Sequence, residues 1–149
     1  MEQMRIGKLE DIDRGLLEVY IEGYRFHQHG RPDVFKDFTD DELRERLTED
    51  FNRLTFFVLL LDDKVIGYSA IEIKERFTKK LNIDQFVILE KYRGMNYGRK
   101  LVDYTKEYGI KEKCDRIELN CWMFNTGGLA FYDHTGFDKQ RIIYEMSLK

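Results

Sequence analysis

From Ile83 to Arg99 the chain reads I-D-Q-F-V-I-L-E-K-Y-R-G-M-N-Y-G-R, an apolar strand pattern that runs into a glycine-bearing basic loop and then into a helical pattern. No other stretch constrains the fold as much. A strand that ends in a tight bend and feeds straight into a helix gathers main-chain N–H groups at the helix N-terminus. With the helix dipole behind them, such groups favour an anion such as a phosphate. Spacing excludes two familiar phosphate loops, since neither G-x-x-x-x-G-K-[ST] nor G-x-G-x-x-G occurs in this segment.

The rest of the chain bounds what such a bend can serve. Its 149 residues are the size of one ordinary domain, and with Pro32 as the single proline and no Ser/Gly-rich tract there is no linker, so residues 1–149 are expected to form one domain. A hydrophobic share of 42%, with 14% aromatic, fills a core. The formal net charge of -3 leaves no general nucleic-acid footprint, so phosphate recognition must be local, around Lys91, Arg93, Arg99 and Lys100. The longest apolar run, Phe56 to Leu61, is too short for a bilayer and suits a buried strand. Met1 to Glu10 is charged and lacks the apolar core of a signal peptide. Cys114 and Cys121 suggest neither a disulfide framework nor a zinc site. A reduced, cytoplasmic protein with no metal, membrane or nucleic-acid partner is expected.

Periodicity gives the elements. Met4 to Leu9 alternates as a first strand, and Ile12, Leu16, Tyr20 and Tyr24 mark one helix face, with Asp11 near its start. Gly30 to Asp33 breaks that helix. Thr39 to Phe51 reads as a second helix with Thr39 and Glu42 as a capping box, an apolar stripe at Leu43, Leu47 and Phe51, and acids on a solvated face. Leu54 to Leu61 and Val65 to Lys74 are strands joined by a tight turn at Asp62-Asp63-Lys64. Leu81 to Leu89 is the strand before the bend, and Gly98 to Lys111 the helix after it. Arg116 to Trp122 is expected as a strand, Leu129 to His134 as a short helix, and Phe137 to Leu148 as a final strand. Strands in the middle interrupted by helices make a mixed α/β domain.

The bend Arg93-Gly94-Met95-Asn96-Tyr97-Gly98 resembles the R/Q-x-x-G-x-G/A loop of the GNAT superfamily of N-acetyltransferases, with Arg93 first, Gly98 last, and Asn96 where the family usually has glycine. Asparagine is among the residues that best tolerate positive φ. A second segment, N-T-G-G-L-A-F-Y-D-H-T-G-F from Asn125 to Phe137, is similar to the family pattern N-x-x-A-x-x-x-Y-x-x-x-G-F, with Gly128 in place of alanine. Two motifs in the right order are far more specific than either alone.

The resemblance implies a single-domain GNAT-like acyl-CoA N-acyltransferase fold of the α/β (α+β) class: a mixed, mostly antiparallel twisted sheet, splayed around the fourth strand and flanked by helices. It implies an acyltransferase that moves an acetyl group from acetyl-CoA, its cosubstrate, to a primary amine on a small molecule or a peptide. Main-chain amides of Arg93, Gly94, Met95, Asn96, Tyr97, Gly98 and Arg99 would cradle the coenzyme A pyrophosphate, and main-chain groups of Val87, Ile88 and Leu89 would pair with the pantetheine arm. Tyr132 would protonate the departing thiolate, unless it is simply a core aromatic beside Phe131. Asn125 would bind the pantetheine amide or cap the short helix. An amine near pKa 10 must lose a proton before it attacks. Asp84, nine residues ahead of Arg93, occupies the family's position for that base; Glu72 is the second candidate, and a water relay is also open. Tyr24, His27 and Phe35 would border the acceptor. A homodimer is compatible with the family. The rival reading is a non-catalytic acyl-CoA-binding sensor or regulatory module.

Overall fold

The computed structural model describes residues 2–149. The elements run β1 (Met4–Lys8), α1 (Leu16–Gly30), α2 (Asp40–Arg53), β2 (Thr55–Leu61), β3 (Lys64–Glu75), β4 (Lys79–Ile88), a 3-10 turn (Glu90–Tyr92), α3 (Tyr97–Lys111), β5 (Arg116–Leu119) and α4 (Thr126–His134). The five strands lie in sequence order, β1-β2-β3-β4-β5. All neighbours are antiparallel except β4 and β5, which are parallel.

Helices cover both faces, which is why β2 and most of β3 read as continuous apolar runs instead of alternating ones. Successive strand residues point to opposite faces. Phe56 packs on Phe51 of α2, whereas its neighbour Phe57 packs on Tyr104 and Tyr108 of α3. In the same way Val87 lies against Gly23 of α1, and Ile88 faces Gly98 of α3. The core is the row of fully buried side chains between these layers, among them Leu16, Leu43, Leu47, Leu59, Ile66 and Leu101.

Local signals explain where the elements begin and end. The capping box forms as the sequence suggests: Glu42 N–H donates to Thr39 Oγ1 at 3.2 Å, and Thr39 N–H to Glu42 Oε1 at 2.9 Å. Asp62 and Asp63 both take positive φ (48° and 66°), the pattern of a two-residue hairpin turn. Helix α1, by contrast, begins at Leu16, because Gly15 turns left-handed at φ 91°. Asp11 and Ile12 therefore lie outside the helix, and the four-residue repeat overran its true start.

The parallel pairing of β4 with β5 covers only Lys80–Ile83 against Arg116–Leu119. Beyond Ile83 the two strands part, so Asp84 to Ile88 present a strand edge to an opening. Strand β5 stops at Leu119, three residues earlier than the alternation suggested. The expected last strand, Phe137 to Leu148, is absent: residues 137–149 adopt no regular element. Their alternation is strand-like, but no main-chain hydrogen bond joins residues 138–149 to any described strand.

Candidate active site

Strand β4 ends in the bend that the sequence singles out. Gly94 and Asn96 both adopt positive φ, 79° and 71°, and Asn96 is the residue from which α3 starts. Its side chain makes no capping bond, so the helix N-terminus is left open. The N–H groups of Tyr92 and Arg93 are used within the 3-10 turn, and the next main-chain donor with a partner is Lys100, to Asn96 O at 3.3 Å. Among the described residues the N–H groups of Gly94, Met95, Asn96, Tyr97, Gly98 and Arg99 thus have no protein acceptor. That is the arrangement an anion would complete.

Side chains brace the bend. Arg93 Nε donates to Ile88 O at 3.0 Å, and Arg99 Nη2 donates to His134 O at 2.8 Å, at the C-terminal end of α4. A Cβ on Gly98 would sit 2.9 Å from the Phe131 ring, so glycine lets α3 approach α4 closely. The bend and the helix that carries Tyr132 are thereby locked together.

The strand edge corrects part of the expected pantetheine track. Leu89 N–H donates to Ile66 O at 2.9 Å, and Leu89 O accepts from Tyr92 N–H at 2.9 Å, so both main-chain groups of Leu89 are occupied. Bonds to one antiparallel neighbour fall on every second residue. Val87, opposite Tyr68, therefore turns its main chain toward β3, and Phe86 and Ile88 face the splay. Of Val87, Ile88 and Leu89, only Ile88 keeps a main-chain edge on the open side, and its carbonyl already receives Arg93.

A cavity of about 620 Å³ opens between α1, α2, the outer part of β4 and the segment after β5. Asp84, Val87, Asn125 and Tyr132 line it, together with Tyr24, His27 and Phe35; Glu72 does not. Residues of the bend lie further along the strand, outside its lining. Tyr132 packs edge-on against Phe86, Phe131 and Phe137 at ring distances of 6.2, 5.4 and 5.6 Å. Its hydroxyl has no hydrogen-bond partner among the described residues. Burial raises the phenol above its usual pKa, and the nearby Cys121 thiol adds to the effect, so Tyr132 stays protonated as a donor. Asn125 is engaged as a cap: its Oδ1 accepts from Gly128 N–H at 2.9 Å. A Cβ at position 128 would meet the Asn125 amide at 2.4 Å, which accounts for glycine there.

Three carboxylates converge on one guanidinium. Arg53 reaches Asp50 at 3.5 Å, Asp84 at 3.6 Å and Glu72 at 3.7 Å. Asp84 pairs with Arg53, not with Lys79 or Lys80. Lys74 Nζ also reaches Glu72, at 3.3 Å, and Lys36 and Arg46 join Arg53 in the cavity lining, so cations and acids alternate around the site. Asp50, placed on the solvated helix face by sequence reasoning, belongs to this group: its Oδ2 accepts from Tyr20 OH at 2.8 Å and from Gln85 Nε2 at 2.7 Å. Gln85 Oε1 in turn accepts from the buried Tyr68 hydroxyl at 2.8 Å. Burial, followed by the Asp50 carboxylate, pushes the Tyr20 phenol up. The signal for Asp50 was present, since it sits three residues past Leu47 and so on the apolar side of α2. Trp122, which also went unread, closes the far wall against Phe35 at 5.8 Å and Phe124 at 6.2 Å.

Comparison with known proteins agrees with this architecture. The chain is 23% identical over 112 residues to glucosamine 6-phosphate N-acetyltransferase 1 of Dictyostelium discoideum, covering 66% of this chain and 69% of that protein. Its fold superposes on the tetramutant of the BH1408 protein from Bacillus halodurans with a TM-score of 0.82, at 21% identity over 98% of this chain and 99% of that one. It superposes on the aminoglycoside N-acetyltransferase AAC(6')-Iy in complex with CoA with a TM-score of 0.71, at 15% identity over 100% and 97% of the two chains. The model of the acetyltransferase (GNAT) family matches residues 17–137, which hold the bend, the splayed strand and Tyr132. The chain therefore belongs to the GNAT acetyltransferase family.

Proposed function

We propose that the protein transfers an acetyl group from acetyl-CoA to a primary amine, by direct attack and with no covalent enzyme intermediate. The observation that carries this reading is the run of partnerless N–H groups from Gly94 to Arg99, braced against the helix whose Tyr132 hydroxyl is unengaged. The run suits the coenzyme A diphosphate, and the open edge of β4 suits the pantetheine amides. The thioester then comes to Tyr132, and the amine enters from the cavity in which Asp84 and the aromatic rings of Tyr24 and Phe35 stand.

The amine lone pair attacks the thioester carbonyl carbon, a C–N bond forms, and the C–S bond breaks. Main-chain N–H groups at the splay, from Phe86 or Ile88, polarise the carbonyl. Asp84 takes the amine proton; it lines the cavity, whereas Glu72 reaches it only through Arg53. Tyr132 faces the leaving sulfur. A raised phenol pKa makes full transfer to a thiolate near 8.5 uphill, so hydrogen-bond donation to the developing charge is its main contribution. Holding two substrates together supplies much of the rate.

Thiol release from acetyl-CoA across a panel of primary amines tests the reading. Amine-dependent release that Tyr132→Phe slows is the expected result. Binding of coenzyme A with no release across the panel would replace it with a non-catalytic acyl-CoA-binding module.

A further inference from the structure

From α1 to the end of α2 the chain carries the cations Arg25, Arg31, Lys36, Arg44, Arg46 and Arg53. Arg25 is matched to Asp37 and Asp40, Arg31 to Asp33 and Glu145, Arg44 to Asp41, and Arg53 to Asp50, Asp84 and Glu72. Lys36 and Arg46 are the exceptions: among the described residues neither side chain forms a salt bridge or donates a hydrogen bond. Both stand in the lining of the cavity that holds Asp84 and Tyr132. They are also held in place. The Arg46 guanidinium lies over the Phe38 ring, 4.7 Å from its centre, a contact with the ring face that leaves its N–H donors free. Phe38 packs on Tyr24 at 5.7 Å, and Tyr24 OH donates to Lys36 O at 2.8 Å. One tyrosine thus fixes both the ring under Arg46 and the main chain of Lys36. Burial raises the phenols of Tyr20 and Tyr24, and the Arg46 charge opposes that rise at both, so the charge lies close to the two rings.

The nearby acids do not answer these charges. Arg46 precedes Asp50 by one turn of α2, a spacing at which opposite charges commonly pair. Asp50 is turned instead to Tyr20, Gln85 and Arg53. Asp37, next to Lys36 in the chain, is taken by Arg25. With the acids engaged, the negative charge that Lys36 and Arg46 lack must arrive with the guest. A guanidinium fork fits a carboxylate or a phosphate equally, and an ammonium adds charge to either. The distance is modest. One turn of α2 is about 5.4 Å, so a small molecule reaches from the Asp50–Arg53–Asp84 cluster to Arg46. Tyr24 and Phe35, packed edge-on at 5.8 Å, flank that span. A diamine would instead bring a second positive charge against Lys36 and Arg46, and like charges brought together weaken binding.

We infer that the acceptor is a small amine that also carries a carboxylate or a phosphate, and that Arg46 and Lys36 bind that anionic group. This rests on the acetyl-transfer reading and names its acceptor class. Thiol release from acetyl-CoA should be followed with sets of equal chain length: an alkylamine, the aminoalkyl phosphate, the amino carboxylate and the diamine. For the phosphate or the carboxylate, kcat/KM should exceed that of the alkylamine by at least about tenfold, through KM, with the diamine poorest. Arg46→Gln and Lys36→Gln, both at exposed positions, should each cut that preference by about fivefold or more, with an unchanged circular dichroism spectrum. Arg44→Gln, on the same helix but paired with Asp41 and outside the cavity lining, should leave it intact. Equal kcat/KM across the set, a preference for the diamine, an anionic preference that survives Arg46→Gln, or one that Arg44→Gln lowers as much would each overturn the inference. If coenzyme A binds and no amine releases thiol, the acetyl-transfer reading fails by itself, and calorimetry of the aminoalkyl phosphate against the alkylamine then decides the anion site. Tighter binding of the phosphate that Arg46→Gln abolishes supports it, and equal affinity overturns it.

Discussion

Tyr132 and Asp84 divide the proposed chemistry between a donor and an acceptor, and each role has its own signature. Replacing the Tyr132 hydroxyl removes one hydrogen bond to a developing thiolate. Bonds to charged groups contribute about 1.5–3 kcal/mol, so Tyr132→Phe should lower kcat by about 10- to 100-fold while coenzyme A affinity holds. Steady-state kinetics beside calorimetry checks both parts. Asp84→Asn should lower kcat as well, but its deficit should shrink as pH rises and more of the amine arrives unprotonated. Asp50 is a different case, because it holds Tyr20 and Gln85 in place. Asp50→Ala leaves two part-buried donors unpaired and should cost about 2–4 kcal/mol in urea unfolding. That Tyr132 and Asp84 line one cavity could be anticipated, because a motif spacing marks each position. Asp50 was not legible, because a charge on a charge-rich helix looks solvated until one asks which side of the stripe it occupies.

The bend at the start of α3 is the element on which the proposed coenzyme A contact rests. Asn96 holds a left-handed φ of 71° with no bond from its side chain, so its backbone freedom is what the position uses. An alanine there pays about 1 kcal/mol in strain, and coenzyme A binding to Asn96→Ala should weaken about 5- to 10-fold. Asn96→Gly should bind as well as the native protein, which separates backbone strain from a lost side-chain contact. Other elements were legible for equally local reasons: Thr39 and Glu42 announce α2, and two aspartates announce the β2–β3 hairpin. The start of α1 was misjudged because Gly15 overrides a periodicity that continues upstream of it. The last strand was misjudged for a larger reason. Alternation records which residues of an extended segment would share a face, and it does not say that a neighbouring strand edge is there to pair with it.

For the molecule as a whole, the β4–β5 edge carries both a stability switch and the route to the site. Hydrogen bonds from Lys80 and Arg116 lower the Glu118 carboxyl from 4.5 to about 2. A carboxyl held down in the folded state adds stability that is complete above its unfolded pKa and is lost as pH falls toward the folded one. Thermal melts should therefore show a loss between about pH 4.5 and 2, and Glu118→Gln should flatten that slope. The mixed sheet and its splay at the fourth strand were expected from the resemblance to the family, whereas the acid cluster assembles from α2, β3 and β4 and exists only in three dimensions. The same holds for the track along β4, where hydrogen-bond parity, invisible in the sequence, exposes Phe86 and Ile88 and hides Leu89.

Calorimetric titration of the folded protein with coenzyme A, in parallel with pantetheine, which lacks the diphosphate, tests the central claim most directly. Six main-chain donors waiting for an anion predict saturable binding of coenzyme A with a dissociation constant below about 1 mM, and binding of pantetheine weaker by at least about tenfold. No heat with coenzyme A, or equal affinity for the two, would contradict it.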